Sequence, residues 1–535
     1  MLLLERHSFG ESIDRVALLP DGRFVSWTTE GPGFYIGLET GIFHDPWARQ
    51  DLIIRYGSFA DGTVTWDAPQ RVMELPIGFG YWGSGPILVD RDGAIHLFGK
   101  RVLIWPEDIE RPGRDELRCD VYHVVSRDGG ASWEGPQRID YGHPYTGALR
   151  QAAQIDNGRM LLPLEYYDWD QTEGMYCCKT CYSDDGGRTW HNDSTDLHVA
   201  SGGRHSHSGA NEPTVAQLGD GRIYKIIRTP ARWQYESYSD DGRTWSEPKR
   251  SRFKSANSPG YLLRLRDGRL LFTWNNTQGP PFGGERKEVY SSRHVVNVAV
   301  SHDDGRTWHG YREYARQALP ELLNDQVSYP RMLELPDGRV LMMFNHITDA
   351  WMHVVTDYVV LDPDWLDETE DHDDFEHGLD GWSTNGTAGA SVVDADGGRV
   401  LRLRHTGELP LGVERNFPIG ARGTLSFEAR RDEGSAGVDV VLDETFWRPD
   451  DRRPDAAVEL ALDAETLPAG AWTPVTFRWD IAARTATATV GGTECTLPIR
   501  EGRLGLSYLT LHGRATAAEG AATDVRRLRV QVQNA

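Results

Sequence analysis

At 535 residues the chain is too long for one hydrophobic core, and two to four domains are expected. A net charge of −23 argues against a nucleic-acid partner, because a surface that acidic repels phosphate. No stretch approaches 18 apolar residues, so no membrane span is expected.

The opening MLLLERHSFGES is too short for a secretory apolar region, and a cytoplasmic location is expected. The first predicted element is a hairpin at LPDGRFVSW, where two apolar runs flank a turn at Gly22. The pattern returns at Gly93, Gly158, Gly221, Gly268 and Gly338, at intervals of 47 to 71 residues. That spacing leaves room for about four strands per repeat, the size of a propeller blade. Between the hairpins lies a second repeat: SRDGGASW ending at Trp133, SDDGGRTW at Trp190, YSDDGRTW at Trp245 and SHDDGRTW at Trp308. A degraded copy, FADGTVTW, ends at Trp66. Asp128, Asp185, Asp240 and Asp303 are placed to accept backbone N–H bonds while the tryptophan packs beneath. A calcium loop would need more ligands than these turns offer.

These turns resemble the Asp-box of sialidase-like propellers. The resemblance covers residues 1–365 and implies an all-β fold, a six-bladed β-propeller closed by strands from both chain ends. Residues 362–374 carry eight acidic residues and Pro363, and 366–374 reads as an acidic linker. Alternating apolar runs such as VLRLRH, GTLSFEAR, TPVTFRWD and RLRVQV then predict a jelly-roll-like β-sandwich over 375–535, for sugar binding, packing or dimerisation. The five cysteines are odd in number and sparse. Cys178 and Cys181 form a lone CxxC in a strand-like segment, so neither a disulfide framework nor a metal is expected, and no cofactor.

Blade geometry puts a pocket on the face opposite the DG turns. Nine residues before each turn glycine stand Ile13, Ser84, Leu149, Glu212, Pro259 and Tyr329. Seven after Gly221 stands Arg228, and eight before Ser301 stands Arg293. NEPTVAQLGDGRIYKIIR, SYPRMLELPDGRVLMMF and RHVVNVAVSHDDGRTW resemble the sialidase blades that carry a glutamate and an arginine, a tyrosine, and another arginine. The resemblance implies Tyr329 as nucleophile, Glu212 as its proton acceptor, and Arg228 and Arg293 as a clamp on a substrate carboxylate. A phenol needs an adjacent base to attack, and arginine forks match a carboxylate. The plainer readings are an extended residue before Pro330 for Tyr329, a structural pair for Glu212 with Arg228, and a surface arginine for Arg293.

The sequence departs from the family in blade 1, where Ser12-Ile13-Asp14 replaces the expected Arg-Ile-Pro. Among the carboxylates Glu30, Glu39, Asp45 and Asp51 of the following loop, Asp45 is chosen as catalytic acid. His205 and His207, beside Arg204, and the pair Tyr81 and Trp82 are further candidates for substrate contact. The function expected is an exo-acting hydrolase of an acidic sugar. A lyase of uronic-acid substrates using His and Tyr, or a propeller that binds sugar without catalysis, are the alternatives.

Overall fold

At each of the six predicted turns a short side chain fixes the hairpin, Asp90 by accepting from Asp92 N and Ala94 N and Asn157 by accepting from Arg159 N. Asp21, Asp220, Asp267 and Asp337 each accept the backbone N–H of the arginine two residues on, at 2.9–3.1 Å. That arginine's guanidinium returns to the same carboxylate. The computed structural model describes residues 4–13, 15–30, 50–75, 81–103, 118–203, 208–277, 292–317, 326–347, 354–384, 389–404, 411–447, 455–514 and 520–533.

Six antiparallel sheets follow one another between His7 and Leu361. Each begins with an inner strand: Val16–Leu18, Tyr81–Val89, Ala153–Gln154, Asn211–Gln217, Tyr261–Arg264 and Gln326–Glu334. Val16–Leu18 touches both Tyr81–Val89 and Gln326–Glu334, so the first sheet meets the last. The cores lie between neighbouring sheets. Leu161, Val215 and Ile223 join the third and fourth, while Phe24, Leu341 and Tyr358 join the first and sixth. The sixth sheet takes its outer strand, His7–Ser8, from the other end of the chain, paired with Val354–Leu361. The molecule is therefore an all-β propeller whose ring is fastened at this seam.

The second repeat forms capped turns. Asp128, Asp185 and Asp303 each accept the N–H of the residue four positions on, at 2.8 Å, and the hydroxyl of the serine two positions back. In YSDDGRTW the capping carboxylate is Asp241, not the expected Asp240: Asp241 accepts from Ser239 Oγ, Arg243 N and Thr244 N. This turn is one residue shorter than the others, so the serine two positions back identifies the cap. The segment ending at Trp66 is not a degraded copy of the box. Asp61 and Gly62, both at positive φ, make a tight turn between strands Asp51–Ala60 and Thr63–Trp66. The turns of the two repeats also meet one another. Arg159 binds Asp184 and the Asp241 carbonyl, and Gly219 N donates to Asp304.

The expected linker is instead ordered structure. Pro363–Asp367 forms a 3-10 turn with Trp365 and Leu366 buried, and Glu370–Asp373 is a strand paired with Thr523–Gln533. The acidic run is held because Arg415 binds both Asp371 and Asp373. Glu370–Asp373 joins an eight-stranded antiparallel sheet, which is accompanied by a four-stranded one. They enclose a shared core in which Phe427, Val475 and Phe477 of the larger sheet meet Val440, Leu509 and Leu511 of the smaller.

Candidate active site

Three inner strands break register at an X-Pro pair; in the second sheet the pair is Gly85-Pro86, and in two others a large side chain precedes the proline. The fourth sheet slips between Asn211 and Thr214, and the sixth between Ser328 and Arg331. These two bulges hold Glu212-Pro213 and Tyr329-Pro330, with Glu212 at φ 39° and Tyr329 at φ 55°. A bulge turns its residue out of the alternation of the strand, and positive φ is costly for side chains of this size. Such strain is kept where it aims a side chain.

Both side chains are aimed at Arg228, which ends strand Ile223–Arg228 opposite Asn211. Arg228 Nη1 donates to Glu212 Oε2 at 2.5 Å and to the Tyr329 hydroxyl at 3.5 Å. Glu212 and Tyr329 are thus joined through one guanidinium nitrogen. Arg228 is itself oriented by Asn257, whose Oδ1 accepts from Nε at 2.8 Å. The Asn257 carbonyl accepts from Arg293 Nη2, also at 2.8 Å. Arg293 lies 5.3 Å from the Tyr329 ring centre, and its carbonyl accepts from Val327 N two residues before the tyrosine. Arg228, Arg293 and Glu212 are buried, and Tyr329 is the half-exposed member in front of them.

Three functional neighbours were missed by sequence reasoning. Arg150 stands 4.7 Å from the Tyr329 ring centre and donates to the Pro330 carbonyl at 3.4 Å. Counting nine residues back from Gly158 stops at Leu149, one position short of it. Asn257 has no sequence signal. Glu165 does: it is the one charged residue in strand MLLPLEYY, and all eight residues of that strand are buried. Glu165 accepts from Glu212 N at 2.6 Å and from Ala148 N at 2.9 Å. The close approach requires Gly147, since a Cβ there would fall on Glu165 Oε1.

Burial and the neighbouring Glu212 charge push the Glu165 carboxyl up to about 7. Burial also raises Glu212, but Arg228, Arg150 and Arg293 outweigh it and hold that carboxyl below its ordinary value. The site therefore offers the ionised Glu212 carboxylate, a second carboxyl in Glu165 that titrates near neutrality, one phenol and three guanidinium groups. That set can take a proton from the phenol and receive an anionic group. It is poor in metal ligands: among the described residues no group of three His, Cys, Asp or Glu side chains is placed to hold a metal ion. The CxxC thiols are buried in strand Tyr176–Ser183, and burial raises both, Cys181 to about 12.

The remaining candidates fall elsewhere. Asp45, His205 and His207 lie outside the described residues, as do Glu39 and Arg204. Tyr81 and Trp82 start the inner strand of the second sheet, opposite Val102 and Arg101, but their side chains are outside the description. Asp51 pairs with Arg71 on the first sheet at 2.8 Å.

This architecture and this cluster define a repeat-built β-propeller with a tyrosine-centred polar site. The chain belongs to the BNR repeat-like domain family, which it matches over residues 48–342. Among curated proteins it is 29% identical over 209 residues to sialidase-4 of Homo sapiens, covering 35% of this chain and 41% of that protein. It is 26% identical over 368 residues to a sialidase of Micromonospora viridifaciens, covering 62% of this chain and 49% of that protein. The chain thus spans less than half the length of these relatives. Among solved structures it resembles Trypanosoma rangeli sialidase in complex with sialic acid, at 14% identity and a TM-score of 0.43, covering 97% of this chain and 91% of that one.

Proposed function

We propose that the protein is an exo-acting glycoside hydrolase for a sugar that carries a carboxylate. The observation that carries this reading is the bridge from Arg228 Nη1 to both Glu212 and Tyr329. In the reaction Tyr329 Oη attacks the anomeric carbon and its proton passes to Glu212. The glycosidic bond breaks, and the leaving oxygen takes a proton from a catalytic acid, for which Asp45 is our candidate. Water then cleaves the tyrosyl–sugar bond and restores the phenol. Arg228 spreads positive charge toward the oxygen that loses its proton, while Arg228 and Arg293 receive the substrate carboxylate. A neutral phenol meets an anionic sugar with less repulsion than a carboxylate nucleophile would. The sialidase relatives support a substrate of this class. Ser12-Ile13-Asp14 stands where the resemblance implies Arg-Ile-Pro, and Arg150 adds a third guanidinium group beside Tyr329.

The test is a screen of aryl glycosides and acidic oligosaccharides read by mass. Hydrolysis adds one water to the products. An elimination product, without added water and absorbing in the near ultraviolet, would replace the hydrolase with a lyase. Binding without conversion of any substrate would leave a sugar-binding propeller.

A further inference from the structure

The two arginines of the site share one support outside their own strands: Arg228 bonds the Asn257 side chain and Arg293 the Asn257 carbonyl. The residue before Arg293, Ser292, gives its carbonyl to the Thr277 hydroxyl. Asn275 extends the same support, donating to the Val295 and Val327 carbonyls at 2.7 and 2.8 Å. Two short stretches, 254–257 and 275–277, therefore set where the guanidinium groups stand.

Both stretches are fastened to one place in the C-terminal unit. Lys254 donates to Glu444 Oε2 at 2.6 Å and to the Gly502 carbonyl at 2.8 Å, and both partners of the ion pair are buried. Asn276 Nδ2 donates to the Glu444 carbonyl at 3.2 Å, and its own carbonyl accepts from Phe446 N at 3.0 Å. Thr277 and Phe446 form a parallel bridge, and the Phe446 ring lies 5.6 Å from that of His294, next to Arg293. One segment at the end of strand Val438–Asp443 thus grips both arginine supports.

We infer that residues 443–447 of the C-terminal unit are a positioning element of the arginine pair, with the Lys254–Glu444 ion pair and Phe446 as its contact points. The C-terminal unit then acts through the propeller's own site, without touching sugar itself. That the positioned arginines receive a substrate carboxylate rests on the function proposed above.

The experiment uses the full chain. The double variant Lys254→Met, Glu444→Leu removes both charges and leaves no unpaired ion in the interior. Asn416→Ala is the control. It cuts a different part of the same interface, where Asn416 accepts from Glu313 N and donates to the Tyr311 carbonyl. Amide hydrogen exchange is read on peptides spanning 254–260 and 292–296, and needs no substrate. Faster exchange there in the double variant and not in the control is expected. Unchanged exchange, or an equal rise in both variants, overturns the inference. With any acidic sugar that the wild type hydrolyses, the double variant raises KM about tenfold, and kcat falls with it because Arg228 also faces the Tyr329 hydroxyl. An equal loss in the control would reduce the segment to general support. Should the double variant fail to fold, Glu444→Gln keeps the volume and an acceptor for Lys254, and the same two comparisons apply. If the wild type converts no acidic sugar, the proposed function fails while the exchange comparison still decides this inference.

Discussion

A phenol becomes a nucleophile only through its neighbours, and those of Tyr329 are charged. Tyr329→Phe removes one oxygen from a half-exposed ring, so the fold should survive it. Turnover should fall by about 10³ or more if that oxygen attacks carbon. Steady-state kinetics with a melting curve measure both, and near-normal turnover removes Tyr329 from the chemistry. Glu165 gives a second expectation, in pH. Its carboxyl moves from an ordinary 4.5 to about 7 in the folded chain, so the native state binds more protons than the unfolded state between those values. Stability from this group is therefore full below about pH 4.5 and is lost as pH rises through about 7. Glu165→Gln should erase that loss. The melting temperature of the variant minus that of the wild type should rise across the window, and a flat difference would show that Glu165 carries no such proton. Glu212 and Tyr329 were legible because both stand nine residues before a turn glycine. Arg150 was not, because its sheet reaches the site one residue later. Asn257 was not, because an asparagine in a loop shows nothing until it is seen between two arginines.

At the level of elements, the sequence was most readable where a short polar side chain caps a turn. The six hairpins and the four boxes rest on bonds local enough to recur in the text. Strand pairing across distance is less readable, and the acidic run of 366–374 shows why. Its charges suggest solvation, yet Arg415, more than 40 residues on, draws two of them into a sheet. The misassigned box supplies a sharp test. Asp241 caps its turn and is half-buried, while Asp240 beside it is exposed. Asp241→Ala should cost about 1–2 kcal/mol, the worth of a lost cap. Asp240→Ala should stay within about 0.5 kcal/mol. Denaturant melts of the two variants compare them directly, and the reverse order would contradict the assigned cap.

The propeller that makes up most of the molecule is a ring, and a ring is only as firm as its closure. The inner strand that carries Tyr329 belongs to the sheet completed by His7–Ser8, so the N-terminal segment bears on the site from across the chain. Arg6 secures it: Nε and Nη2 both reach Asp357 Oδ2, at 2.8 and 2.5 Å, and His346 approaches the same oxygen at 3.2 Å. Burial raises the Asp357 carboxyl, but His346, Ser8 and Arg6 more than offset it and keep it low. Phe9 adds packing, stacked on Tyr358 at 4.7 Å. Removing Arg6 leaves a buried carboxylate with part of its partnership gone. Arg6→Ala should therefore cost about 1.5–3 kcal/mol, the range for hydrogen bonds to charged groups. The matched control is Arg243→Ala, whose pair with Asp193 is about half exposed at both ends and should be worth at most about 1 kcal/mol. Deleting residues 1–10 should do more than either, because it strips the sixth sheet of its outer strand and frees the edge of Val354–Leu361 for solvent or another chain. The deletion should lower the melting temperature below that of Arg6→Ala and promote self-association in sedimentation. Wild-type melting by the deleted chain would mean that the inter-sheet cores alone hold the ring shut.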